Sequence, residues 1–88
     1  MTARLYTVCL DPDAEHFLDK LRDRNLYRRL RAAVDSLALN PRPPGCKKLR
    51  GRLGYRVRVG DYRIIYRVLD DRLIITVIAI GDRKDIYR

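Results

Sequence analysis

Histidine occurs once in this chain and cysteine twice, and no apolar run approaches the ~18 residues that a membrane-spanning helix needs. Cys9 and Cys46 lie in no C-x-x-C pair and have no histidine nearby, which argues against a zinc site. Two reduced thiols or one disulfide fit the same sequence; reduced thiols are the expectation. His16, the single histidine, sits beside Glu15 and off the apolar stripe of a predicted helix, so it reads as a surface residue. That leaves no histidine for acid–base work. With 47% hydrophobic residues and only four prolines and five glycines, the composition excludes a disordered chain. The opening "MTARLYTVCLDPDAEHF" turns acidic too early for a signal peptide, so a cytoplasmic protein is expected. Eighty-eight residues lack the surface to bury two cores, and residues 1–88 are expected to form one domain.

Positive charge, by contrast, is abundant. The net charge is +9, and it is unevenly spread. Residues 1–44 carry eight Lys/Arg against six Asp/Glu, a net of +2, whereas residues 45–88 carry twelve against five, a net of +7. Most of these cations are arginine, the side chain best suited to bidentate contact with phosphate. Such an asymmetry points to a polyanionic partner, nucleic acid first.

The apolar pattern gives the order of elements. "RLYTVCL" predicts a first strand. In "DPDAEHFLDKLRD" Asp11 can cap a helix that Pro12 starts, and Ala14, Phe17, Leu18 and Leu21 form its buried stripe. A second helix runs from about Asn25, with Leu26, Leu30, Ala33, Val34, Leu37 and Ala38 on one face; "LNPRPPG" ends it. Arg24, Arg28 and Arg31 follow helical spacing as a solvated face, and Arg31 can pair with Asp35. "CKKLRGRLG" reads as a basic connection, and "LDDRLIITVIAIG" as a last strand, apolar on both sides and therefore central. In that strand Leu73, Ile75, Val77 and Ala79 are expected on one face, with Ile74, Thr76, Ile78 and Ile80 on the other. The predicted fold class is α+β: a strand, two helices, then a three-stranded antiparallel meander, in one curved sheet with the helices on one face.

"GYRVRVGDYRIIYRV" is the most informative segment. Read as a hairpin with a Gly-first two-residue turn at Gly60-Asp61, it puts Tyr55, Val57, Val59, Tyr62, Ile64, Tyr66 and Val68 on one face. Arg56, Arg58, Arg63, Ile65 and Arg67 fall on the other, with Arg58 directly opposite Arg63. The three tyrosines on the first face are expected to pack under the helices, which leaves the arginine face open. Like charges directly opposed destabilise a hairpin. The cluster either binds phosphates, lines an interface with an acidic partner, or is a solvated surface. Only the first two explain why repulsion is concentrated there, because phosphate neutralises it and releases counterions.

Fixed guanidinium groups also suit metal-free RNA cleavage. When a 2′-hydroxyl attacks its neighbouring phosphate, negative charge gathers on the phosphoryl oxygens, and cations that stabilise this state more than the ester accelerate the reaction. Arginine keeps its proton, so a separate acid or base is wanted. Tyr87, close in sequence to Arg83, can supply it or stack on a base.

"NPRPPGCKKLRGRLGYRVRVGDYRIIYRV" followed by "VIAIGDRKDIYR" resembles the RelE/ParE superfamily of bacterial toxins, on the RelE side, over nearly the whole chain. The resemblance implies a toxin that enters the ribosomal A site and cuts messenger RNA there. It also implies a cognate antitoxin with an acidic C-terminal segment that wraps the toxin. By position, Arg56, Arg58 and Arg63 match the basic residues around the scissile phosphate. Arg83 matches the arginine that stabilises the transition state or leaving group, and Tyr87 the tyrosine that stacks on the base or assists proton transfer. Lys47, Lys48 and Arg50 match residues that grip RNA. Neither a metal nor another cofactor is implied. Two departures stand out: Arg56 replaces a lysine found in some members, and Asp82 replaces the histidine of a Gly-His-Arg turn. Slow or strongly ribosome-dependent cleavage is the corresponding expectation. Two other readings share the fold: a ParE-like poison of DNA gyrase, and an inactive module that only binds an antitoxin.

Overall fold

The computed structural model describes residues 5–82. Strand β1 (Thr7–Leu10) leads into helices α1 (Pro12–Lys20) and α2 (Arg24–Ser36). A two-residue strand β2 (Lys47–Lys48), then β3 (Tyr55–Val59), β4 (Tyr62–Leu69) and β5 (Ile74–Asp82), complete the chain. The five strands form one mixed sheet in the order β1-β5-β4-β3-β2, with β1 parallel to β5 and every other pair antiparallel. The predicted α+β class and the β3–β4–β5 meander are present, and β5 is internal as its two apolar faces require. The basic connection contributes an edge strand, β2, too short to leave a periodic signal.

The helices start where their caps allow. Asp11 occupies the position before α1 in extended conformation, but its side chain makes no capping bond; its carbonyl instead accepts from the Glu15 amide. The side-chain cap belongs to α2, where Asp23 accepts from the Leu26 amide at 3.1 Å. Both helices pack on one face of the sheet. Ala14 and Leu18 of α1 and Leu30, Val34 and Leu37 of the α2 region meet Ile64, Tyr66, Ile75, Val77 and Ile80 in a single buried cluster. Tyr55 and Tyr62 pack against it, and the Tyr55 and Tyr66 rings stack at 5.9 Å. The tyrosines of the hairpin are thus core, as their alternation predicts.

The expected faces of β5 need correction. The β4–β5 register shifts between Ile65 and Tyr66, where Ile65 pairs with Ala79 and Tyr66 with Val77, leaving Ile78 as the extra residue. Past this irregularity the alternation inverts. Ile80 joins Ile75 and Val77 in the core, and Ala79 turns to the arginine side. Leu73, expected in the strand, lies in the preceding turn with φ 54°, a left-handed conformation uncommon for a side chain of its size.

Candidate nucleic-acid interface

The hairpin register fixes the site. Arg58 pairs with Arg63, Arg56 with Ile65, and Lys47 with Arg56. Directly paired residues project to one side of a sheet, so Lys47, Arg56, Arg58 and Arg63 share the face opposite the helices. The turn that sets this register places Gly60 at φ 60°, and no described residue other than Leu73 and glycines has positive φ, so the turn is type II′. A side chain at Gly60 would also approach the Arg29 guanidinium at 3.1 Å.

The face is not uniformly open. Arg58 is exposed and Arg56 half-buried, whereas Arg63 is only 6% exposed and its neighbour Ile65 only 3%. Alternation assigned both buried residues to the right side but gave no sign of their burial. Across β4 the face becomes small and apolar: Ile65 is opposed by Ala79 and Arg63 by Gly81. Asp82, paired with Tyr62, is the last residue of β5. Arg83 and Tyr87, assigned from the sequence to this site, lie outside the described residues.

Beside the hairpin, Lys47, Lys48, Leu49, Arg50, Arg52 and Arg56 line a cleft of about 480 Å³. Lys48 pairs with Tyr55, so its position in the ladder belongs to the helix-facing row; it borders the cleft from the sheet edge. Arg50 and Arg52 ride on the β2–β3 loop, which is closed by the Leu49 amide donating to the Gly54 carbonyl at 3.0 Å. Gly54, at φ 124°, is required there: a Cβ would stand 2.9 Å from the Tyr66 carbonyl oxygen. Arg52 was not singled out from the sequence; its signal was the glycine-bounded loop "GRLG" inside the basic stretch. Among the described residues the ion pairs are Arg31–Asp35 and Arg42–Asp70, so no carboxylate is salt-bridged to Arg58, Lys47, Lys48, Arg50 or Arg52. No three acidic, histidine or cysteine side chains among the described residues come together as a metal site.

A polar latch holds the proline-rich segment that delivers β2. Arg42 donates two bonds to Asp70, at 3.2 and 2.8 Å, and a third from Nε to the Tyr55 hydroxyl at 3.1 Å. The Tyr6 hydroxyl donates to Asp70 at 2.7 Å, and the Tyr66 hydroxyl donates to the Pro41 carbonyl at 2.8 Å. Hydrogen bonding from Arg42, then from Tyr6, holds the Asp70 carboxyl down at about 2. The same Asp70 contact, followed by Tyr55, raises Arg42 further above its ordinary value. Burial pushes the Tyr66 phenol upward. The latch joins the proline-rich segment after α2 to the residue preceding β1, to β3 and β4, and to the β4–β5 turn, and so anchors the approach to the basic cleft.

Comparison with known proteins gives the class. A sequence model described as the ParE toxin of the type II toxin-antitoxin system, parDE, matches residues 8–87, and the chain belongs to this RelE/ParE superfamily of toxins. Toxin RelG of Mycobacterium tuberculosis is 34% identical over 85 residues, covering 94% of this chain and 97% of the relative. A putative RelE-like toxin protein of Escherichia coli is 36% identical over 75 residues, 80% of this chain and 74% of its own. The toxin fold in the archaeal RelE–RelB complex from Pyrococcus horikoshii superposes with TM-score 0.80 at 30% identity, over 92% of this chain and 98% of that one. The protein is a RelE-like toxin of a toxin–antitoxin pair.

Proposed function

We propose that this toxin is a ribosome-dependent messenger-RNA endoribonuclease. The observation that carries the reading is the register-fixed gathering of Lys47, Arg56, Arg58 and Arg63 on the sheet face away from the helices. The scissile phosphate lies among Arg56, Arg58 and Arg63, while Lys47, Lys48 and Arg50 hold the flanking backbone. The 2′-oxygen attacks phosphorus, the 5′-oxygen leaves, and the products are a 2′,3′-cyclic phosphate and a 5′-hydroxyl end. The guanidinium groups stabilise charge on the phosphoryl oxygens as it develops. Arg83 stabilises the transition state or leaving group, and Tyr87 stacks on a base or moves a proton. Since arginine is a poor base, the ribosome's part in orienting the RNA is essential, and naked RNA is cut slowly.

The partner in the cell is a cognate antitoxin with an acidic segment that wraps the toxin. Support comes from the net charge of +9 and from neighbours solved as RelB–RelE complexes. The runner-up reading is inhibition of DNA gyrase, favoured by the description of the matching family as ParE toxin. Primer extension on a translated message, run beside a gyrase supercoiling assay, separates the two. The nuclease reading requires new message ends that appear only with ribosomes. Unbroken messages with arrested supercoiling would replace it by the runner-up.

A further inference from the structure

Resting on the nuclease reading, we infer that an apolar hollow beside the arginine row is the seat of an RNA base flanking the bound phosphate, with Arg52 as the residue that engages it. A cavity of about 350 Å³ is walled by Arg52, Ile65, Ile78, Ala79 and Gly81, with Phe17 of α1 and Ile80 at its far side. Its volume lies in the range of small-molecule sites, about 300–1,000 Å³. Two facts make it a continuation of the phosphate-binding surface. Its floor lies on the same rows as the cations: Ile65 pairs with Arg56, and Gly81 with Arg63. Arg52 lines both this cavity and the basic cleft, and is the residue common to the two among those described.

The chemistry matches a nucleotide divided between two surroundings. Phosphate belongs with Lys47, Arg50 and Arg56; a flat, weakly polar base belongs over isoleucine, alanine and glycine. The register irregularity at Ile78 sets the small Ala79 opposite Ile65 on the arginine side, while Ile80, rooted in the core, closes the hollow from its far edge. Arg52 is exposed at the dividing wall. A planar guanidinium there stacks on a base or bonds its edge, which a lysine cannot reproduce.

The test is fluorescence anisotropy with a labelled 2′-O-methyl RNA oligonucleotide, which cannot be cut, and with versions made abasic at each position in turn. One abasic position should weaken binding of the parent toxin about tenfold, the scale of a lost stacking contact. Arg52→Ala and Ala79→Leu should bind the intact oligonucleotide about tenfold more weakly and lose the penalty at that position. Arg52→Lys should keep the salt dependence of the parent yet lose the same base-dependent increment. Arg52 is an exposed loop residue, so its variants report on binding even if Ala79→Leu fails to fold. Parent toxin that binds RNA equally well at every abasic position would overturn the base site and leave the nuclease reading standing. Parent toxin that does not bind the oligonucleotide at all would likewise overturn the base site, whereas the nuclease reading falls only if no new message ends appear with ribosomes.

Discussion

Arg58 and Arg63 stand directly opposite one another across the Gly60-Asp61 turn, yet one is exposed and the other is 6% exposed. Their paired backbones hold two like charges on one face, and the asymmetry of burial divides their duties. Arg58→Ala removes an exposed charge and relieves the repulsion. In urea denaturation it should leave stability unchanged or raise it by about 0.2–1 kcal/mol, while growth arrest weakens. Arg63→Ala should instead destabilise by about 1 kcal/mol or more, because the buried stem of the side chain is packed as well as charged.

Gly54 is the tightest backbone position of the β2–β3 loop. Gly54→Ala puts a methyl group 2.9 Å from the Tyr66 carbonyl at a φ of 124°. The expected cost exceeds about 1 kcal/mol, with the basic loop disordered, both measurable by urea melts and by amide exchange of residues 49–55.

The latch predicts a defined response to acid. The Asp70 carboxyl is held down at about 2 against an ordinary 3.8, so its stabilising share is intact above pH 3.8. That share is lost as pH falls from 3.8 through about 2. Asp70→Asn should therefore lie below the parent by a constant margin at neutral and mildly acidic pH. The margin should close only toward pH 2, in thermal melts taken across that range.

Tyr66 gives the alkaline counterpart. Its phenol is raised by burial and donates to the Pro41 carbonyl. Tyr66→Phe should cost about 1 kcal/mol at neutral pH, the scale of one hydrogen bond with its partner left behind. The raised group stabilises fully below its unfolded value near ~10 and loses that share as pH climbs further. The gap between parent and variant should narrow in melts above that point.

What the sequence disclosed follows from how local each determinant is. A two-residue turn fixes pairing by counting, so the Arg58–Arg63 opposition and the tyrosine face were legible. Helix positions followed from apolar spacing and the proline break. The inversion in β5 was not, because a run apolar on both faces reads the same with or without an extra residue at Ile78. Strand β2 has two residues, both lysine, and gains its identity only from β3 beside it. The burial of Arg63 depends on what packs around it, which alternation does not encode. The Arg42–Asp70–Tyr6 latch joins residues far apart in sequence, and its members carried no local pattern.

The central claim is that crowded guanidinium groups serve an RNA phosphate in its transition state. Its most direct test is single-turnover cleavage of a message held in the A site of purified ribosomes, comparing the parent with Arg58→Ala. The account predicts a fall in rate on the order of a hundredfold or more, with an unchanged or higher melting temperature. Cleavage by the variant at the parental rate would contradict it.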